Sequence, residues 1–309
     1  MASLLSSWSS NLQCLPANYV VPAAKRPGKL APISMDIPVN DLSDTNRADL
    51  VQKIMKANQE FGIFQVINHG VPENLMTDAK NVGKEFFAIA AEENAKLTTD
   101  AAQDTGSGIF SPKEFAYWKD TLQHRCHPLD NFIKSWPDKP ARYRETVGPY
   151  TAEVRHYDLT MMIHNYPPCP HPTSALGIRG HYDTVVLTLL QQDVYGLQIL
   201  KDGQWIGVEP LPNAFVVNIG FSLEVVSNGK LLILKHSSVA SMSAFLLKRI
   251  SIYSLYWKPL NIAKSVVSPS NPPMFRGFQY KEYIEILFSK NADMEATLEC
   301  FKINSQATK

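Results

Sequence analysis

The chain changes character near residue 165. Before that point apolar positions recur at helical intervals; beyond it short apolar runs are cut by turns. Leu50, Ile54, Ala57 and Phe61 lie three or four residues apart, which predicts a helix over residues 49–61, ended by Gly62. Leu75, Ala79, Val82, Phe86 and Phe87 mark the apolar side of a longer helix predicted over residues 73–96. Short strands are expected at 37–42 and 64–68, the second closed by the turn His69-Gly70-Val71-Pro72. Residues 1–31 carry little periodicity and read as a loose arm. Residues 98–111, rich in Gly, Ser and Asp, read as a mobile loop.

Downstream, Pro167, Pro168, Pro170 and Pro172 impose extended backbone. Strand-like runs follow at 185–190, 197–200, 205–208, 214–218, 231–236 and 250–257, with turn residues such as Asp202-Gly203 and Asn228-Gly229 between them. Many short strands at this spacing predict an antiparallel sandwich or barrel. A helical first part packed on it gives an α+β chain.

Composition narrows the partners. The chain has 309 residues, 45% hydrophobic and 19% charged, an ordinary globular balance. A net charge of +1, with scattered Lys and Arg, offers no field to gather nucleic acid or an anionic membrane. The most apolar runs, 214–221 and 231–234, are too short to span a bilayer. The Ser-rich residues 1–21 lack the basic leader and apolar run of a secretory signal. Cys14, Cys126, Cys169 and Cys300 lie far apart, which predicts reduced, mostly buried thiols in a cytoplasmic protein.

Most of the eight histidines, His69, His124, His127, His156 and His171 among them, carry no ligand pattern and read as structural. His181 and Asp183 differ. They are two apart in GHYDTVVLTLL, which reads as a strand, so both side chains are expected on one face. His236 closes the later apolar run LLILKH. Two imidazoles and one carboxylate leave three octahedral positions open, which suits Fe(II) and oxygen; zinc uses such a set less characteristically. An HxD pair alone is weak evidence, since most such pairs are ordinary surface residues. Arg249 and Ser251 in RIS also alternate on a predicted strand, and a guanidinium fork beside a hydroxyl can hold a carboxylate. Tyr166 adds a phenol before the proline run.

Taken together, GIFQVINHGVP, NYPPCP, GHYDTVVLTLLQQDVYGLQILKDGQWI, AFVVNIGFSLEVVSNGK and RIS resemble the plant 2-oxoglutarate-dependent dioxygenases over most of residues 36–290. The resemblance implies a double-stranded β-helix (jelly-roll) core with Fe(II) at its open end. It implies a metal triad of His181, Asp183 and His236, an RxS clamp of Arg249 and Ser251 for 2-oxoglutarate, and Tyr166 reaching the same co-substrate. Such enzymes couple O2-dependent decarboxylation of 2-oxoglutarate to hydroxylation of an unactivated C–H bond, with ascorbate keeping iron reduced. By the same resemblance the chain divides into an arm (1–35), a mostly helical N-terminal region (36–150), the β-helix domain (160–277) and a C-terminal helix and tail (278–309). Within the family, EFAYWKDTLQHRCHPLD and SWPDKPARYRETV are most similar to the hyoscyamine hydroxylases. A monomer acting on a small plant metabolite, a tropane alkaloid such as hyoscyamine, is expected. A protonated amine with an aromatic ester calls for a carboxylate or aromatic cage. Phe110, Glu114, Tyr117, Lys119, Phe221 and Leu287 are the candidate lining, with ordinary packing as the competing role of each.

The chain also departs from the family. Residues 150–165 are shorter by roughly thirty residues, the length of two ordinary helices, so the helices that back the barrel are expected to be partly missing. That predicts an uncovered apolar face and a less stable, weakly active or inactive chain. The interval from His236 to Arg249 is longer by about three residues, absorbed either in a loop or as a register slip that turns the ligand face outward. Phe221 follows NIG where many relatives have Asp. The competing functions are a catalytically impaired truncated homologue and a dioxygenase of another small-molecule pathway. A zinc hydrolase leaves RIS unexplained.

Overall fold

Asn46 accepts a hydrogen bond from the Asp49 N–H and so caps helix α1, Arg47–Phe61, in a computed structural model that describes residues 4–26, 31–89, 115–152, 159–239, 244–251, 259–290 and 293–303. Gly62, at φ +64°, ends the helix in the left-handed conformation expected of it. Strands β1 (Ile33–Ser34) and β2 (Val39–Asp41) precede α1, and β3 (Ile63–Ile67) follows. Helix α2 (Glu73–Ala88), strand β4 (Asp120–Arg125), the single turn α3 (Leu129–Phe132) and helix α4 (Tyr143–Ala152) complete the N-terminal region. The barrel strands are β5 (Leu159–Tyr166), β6 (Leu176–His181), β7 (Leu187–Gln192), β8 (Leu197–Lys201), β9 (Gln204–Val208) and β10 (Phe215–Ile219). Beyond the short helix α5 (Phe221–Val226) come β11 (His236–Val239), β12 (Ala244–Ser251), β13 (Pro259–Leu260), β14 (Phe278–Gln279), α6 (Tyr280–Ser289) and α7 (Met294–Glu299).

Two sheets result, in the orders β1-β9-β8-β11-β6 and β2-β3-β10-β7-β12-β5-β4, with β13 and β14 paired separately. Ile63, Tyr166, Leu190 and Val216 of the larger sheet meet Leu197, Ile199 and Val208 of the smaller in one apolar core, so the sheets face each other as a jelly roll. The expected α+β double-stranded β-helix is the observed fold.

The back of the larger sheet is not bare. Leu159, Met161, Ile163, Phe215 and Val217 turn outward and pack on Met76, Ala79, Val82 and Phe86 of α2 and on Tyr143, Val147 and Tyr150 of α4. Tyr150 donates to Gln191 Oε1 at 3.1 Å, and Gln191 Nε2 donates to the Met76 carbonyl at 3.3 Å, tying α4, β7 and α2 together. Among the described residues, no exposed large apolar side chain lies on this face. Over its described part, α2 and α4 cover this face of the sheet, where an uncovered patch was expected. Residues 153–158 lie outside the described part.

Other expectations change too. The arm is not loose: Leu5 and Val21 are buried, Trp8 and Tyr19 pack edge-on against Trp118, and the Asp120 carboxylate accepts the Leu5 and Ser6 N–H groups at 2.6 and 2.9 Å. Its structure is a series of single 3-10 turns, which leave no period in the sequence. α2 stops at Ala88, where Ile89 turns extended. Residues 231–235 are not a strand, because Asn58 of α1 occupies the Leu232 N–H and C=O at 2.8 and 3.0 Å. Cys126 and Cys169 are buried thiols, while Cys14 and Cys300 are exposed. The predicted loop 98–111 and residues 252–257 of the last predicted strand are outside the described residues, and no described helix is long and apolar enough to cross a membrane.

His124 keeps its structural role. It is fully buried on the helix-backed side, 2.9 Å from the Tyr143 hydroxyl, and burial pushes its pKa down to about 3. The unfolded chain takes up this proton near pH 6.5 while the folded chain refuses it. Stability present above pH 6.5 is thus lost as pH falls towards 3, by about 1.4 kcal/mol per unit. Denaturant melts at pH 7 and pH 5 are expected to show this slope, and His124→Gln to flatten it. Equal slopes in both proteins would remove His124 as the cause.

Candidate metal centre

His181 is the last residue of β6, in the smaller sheet, and β7, in the larger, starts at Leu187. The HxD pair therefore sits on the corner where the chain crosses between sheets, not on one strand as expected. The corner is held by backbone: the Phe221 N–H donates to the Asp183 carbonyl and the Gly220 N–H to the Val186 carbonyl, each at 2.9 Å. His236 opens β11 and pairs directly with His181 across the β6–β11 ladder. Its imidazole therefore reaches the same point from the neighbouring strand.

The three side chains converge. Asp183 Oδ1 lies 3.8 Å from His181 Nε2 and 3.6 Å from His236 Nε2, and one donor atom from each residue lies within 4.8 Å of the others. Donors placed cis around an octahedral ion with bonds of about 2.1 Å stand roughly 3 Å apart, so only a slight contraction is needed. Both rings are preset for a metal. His181 Nδ1 lies 2.9 Å from the Arg179 carbonyl and His236 Nδ1 3.2 Å from the Leu234 carbonyl. A carbonyl only accepts, so Nδ1 carries the proton and Nε2 presents its lone pair. Asp183 and His236 are buried, and His181 is the most open of the three. Tyr182, between the two ligands, donates to Glu295 of α7 at 2.9 Å; burial first, then that carboxylate, raise its phenol above the usual range. The donor set fits Fe(II).

Two residues that the sequence did not single out stand beside the triad. Asn218 Nδ2 is 3.5 Å from both Asp183 Oδ2 and His236 Nε2, and Thr188 lies opposite Asn218 in the β7–β10 ladder. Asn218 Oδ1 and the Thr188 hydroxyl are buried without hydrogen-bond partners, an interior ready for a polar guest such as 2-oxoglutarate.

The remaining candidates separate. Tyr166 lies buried in the barrel interior. Arg249 and Ser251 lie two apart on β12. Arg249 pairs with Met161 and Leu189, and Ser251 with Leu159 and Leu187. Those four partners pack outward on the helix-backed core, whereas Ile250 pairs with Thr160 and Thr188. Phe221 and Leu287 lie away from solvent. Both are fully buried in the aromatic cluster of Phe278, Tyr283 and Phe301, with Phe221 stacked 4.6 Å from Tyr283. Tyr117 is buried with Phe115, Leu176 and Ile178, and burial lifts its phenol to about 12. Lys119 is half-buried, its ammonium 6.0 Å from the Tyr117 ring. Phe110 and Glu114 are outside the described residues.

Comparison with known proteins agrees with this geometry. Residues 157–256 match the 2OG-Fe(II) oxygenase superfamily, and residues 37–141 match the non-haem dioxygenase in morphine synthesis N-terminal family. The chain is 40% identical to hyoscyamine 6-dioxygenase of Hyoscyamus niger, covering 98% of this chain and 100% of that one. It is 35% identical to flavanone 3-dioxygenase 2 of Oryza sativa subsp. japonica, over 93% and 94%. The first alignment runs to 349 positions, more than the 309 residues present, so that relative carries segments this chain lacks. The crystal structure of JOX2 with 2OG, Fe and JA superposes with a TM-score of 0.84 at 25% identity, over 98% of both chains. With its His-Asp-His site at the end of a jelly roll, the chain belongs to the 2OG-Fe(II) oxygenase superfamily and is a 2-oxoglutarate-dependent dioxygenase.

Proposed function

We propose that the protein hydroxylates a plant specialised metabolite, a tropane alkaloid such as hyoscyamine. The observation that carries this reading is the likeness to hyoscyamine 6-dioxygenase over nearly the whole chain. Bound iron would supply the oxidising chemistry, with O2 as the oxidant and 2-oxoglutarate as the co-substrate that is oxidised to succinate and CO2. The protein's own share is orientation and exclusion of water. His181, Asp183 and His236 hold the ion on one side, and Leu190, Leu197, Ile199 and Val216 keep the barrel behind it dry. The test supplies hyoscyamine under air with Fe(II), 2-oxoglutarate and ascorbate, and follows succinate together with a product one oxygen heavier. Succinate without hydroxylated alkaloid contradicts the substrate assignment.

A second reading is a dioxygenase of another small-molecule pathway, with a neutral or anionic substrate. Arg179, two residues before His181, and Lys119 both lie near Tyr117, a cationic setting that suits a protonated amine poorly. A flavanone tried beside hyoscyamine separates the two.

We further propose Tyr166, Arg249 and Ser251 as the grip on 2-oxoglutarate. The support is the RIS motif together with the chain's membership of the family. Arg249→Lys keeps the charge but loses the planar fork, so 2-oxoglutarate affinity is expected to fall by about 1–3 kcal/mol. Unchanged affinity would remove Arg249 from this role.

A further inference from the structure

Thr188 is fully buried, and its hydroxyl has no hydrogen-bond partner. Its neighbours Leu187 and Leu189 pack against the helix-backed core, so the strand pleat turns Thr188 the other way, into the barrel. Asn218 stands directly opposite on β10, flanked by Val217 of the outer core, and shares that inward face. Cβ atoms of such opposed residues lie about 4.5–5.5 Å apart. Asn218 Nδ2 is in turn 3.5 Å from Asp183 Oδ2 and from His236 Nε2. The Thr188 hydroxyl therefore stands one side chain away from the metal ligands, in a dry interior, with its donor unused.

The chemistry of the pair is complementary. An amide Nδ2 can only donate, and it faces a carboxylate oxygen of Asp183 that a single metal bond leaves available. A threonine hydroxyl carries one donor, and a buried donor without a partner is rare enough to call for one. We propose that Thr188 is a co-substrate-binding residue: its hydroxyl donates to a carboxylate oxygen of 2-oxoglutarate, while Asn218 holds the Asp183 carboxylate beside it. This rests on the family's use of iron and 2-oxoglutarate, and adds to that reading a donor from β7. The donor is set in place by the pairing of β7 with β10.

The test is anaerobic titration of Fe(II)-loaded protein with 2-oxoglutarate, read by the visible charge-transfer absorbance of the chelate, in the full chain and two variants. Thr188→Val removes the hydroxyl at nearly constant shape, and the 2-oxoglutarate dissociation constant is expected to rise about tenfold. Fe(II) affinity without co-substrate should stay as in the parent protein. The melting temperature of the metal-free protein should be unchanged or higher, since an unpaired buried hydroxyl has gone. Thr188→Ser keeps the donor and should hold 2-oxoglutarate within about twofold of the parent. A Thr188→Val protein that binds 2-oxoglutarate as the parent does overturns the proposal, as does one with weakened Fe(II) binding and a lowered melting temperature, the mark of a packing role. A parent protein that develops no band at all fails the family reading instead, a separable result.

Discussion

Asp183→Ala is expected to lower Fe(II) affinity by well over a hundredfold and to end 2-oxoglutarate turnover. Loss of a mere outer-shell partner of a metal ligand costs about 10–100-fold, and Asp183 is the one carboxylate among the three convergent donors. Its removal leaves two neutral imidazoles, a poor site for a hard divalent ion. The fold should survive, because the tie between this corner and α5 runs through the Asp183 carbonyl and the Phe221 N–H, which alanine keeps. Competition against a chelator, read together with circular dichroism, separates loss of metal from loss of fold. A folded Asp183→Ala protein that binds Fe(II) within about tenfold of the parent would falsify the triad assignment.

Gly220→Ala is expected to damage both stability and the metal site. A Cβ built on Gly220 falls 1.8 Å from the Val185 carbonyl oxygen and 2.5 Å from its carbon, so backbone must move. The torsion is not the obstacle, since Gly220 sits at φ −94°, where any residue is at ease. Space alone excludes the methyl group. The segment it would displace, residues 183–186, carries the metal ligand Asp183 and is bound to α5 through Gly220, Phe221 and Ser222. Overpacking of this kind costs about 1–3 kcal/mol, here with the added loss of those hydrogen bonds. Melting temperature and Fe(II) affinity should fall together. Gly148→Ala in α4 is the control, because its Cβ meets only Ile133 and Leu129 carbons at 3.6 and 3.9 Å and a helix prefers alanine. If Gly220→Ala melts and binds iron as the control does, Gly220 does not set the corner.

The residue types of the metal site were legible in the sequence; the way they are held was not. His181 and Asp183 read as alternating strand residues because they lie two apart and lead into TVVLTLL, which is apolar and rich in β-branched residues. No local signal marks the corner at Asp183, which exists because β6 and β7 belong to different sheets and Gly220 leaves room for the crossing. Residues 231–235 read as a strand because LLIL is a short apolar run, and the partner that prevents it, Asn58, is far away in sequence. The helices α1 and α2 were readable from their spacing, while the covering of the larger sheet by α2 and α4 depends on where those helices dock. The packing of Phe221 and Leu287 in one aromatic cluster joins residues far apart in the chain, which no local pattern shows. Thr188 and Asn218 escaped notice because a single polar residue in an apolar run carries no sequence mark of which face it takes.

The central claim is that this chain binds Fe(II) through three side chains and leaves room for 2-oxoglutarate on the same ion. Anaerobic titration of the purified chain with Fe(II) and then 2-oxoglutarate tests it most directly. The expected result is a weak visible charge-transfer band that saturates at one iron and one 2-oxoglutarate per chain and is absent in His181→Ala. A folded protein that shows no band at saturating Fe(II) and 2-oxoglutarate, or shows the same band without His181, contradicts it.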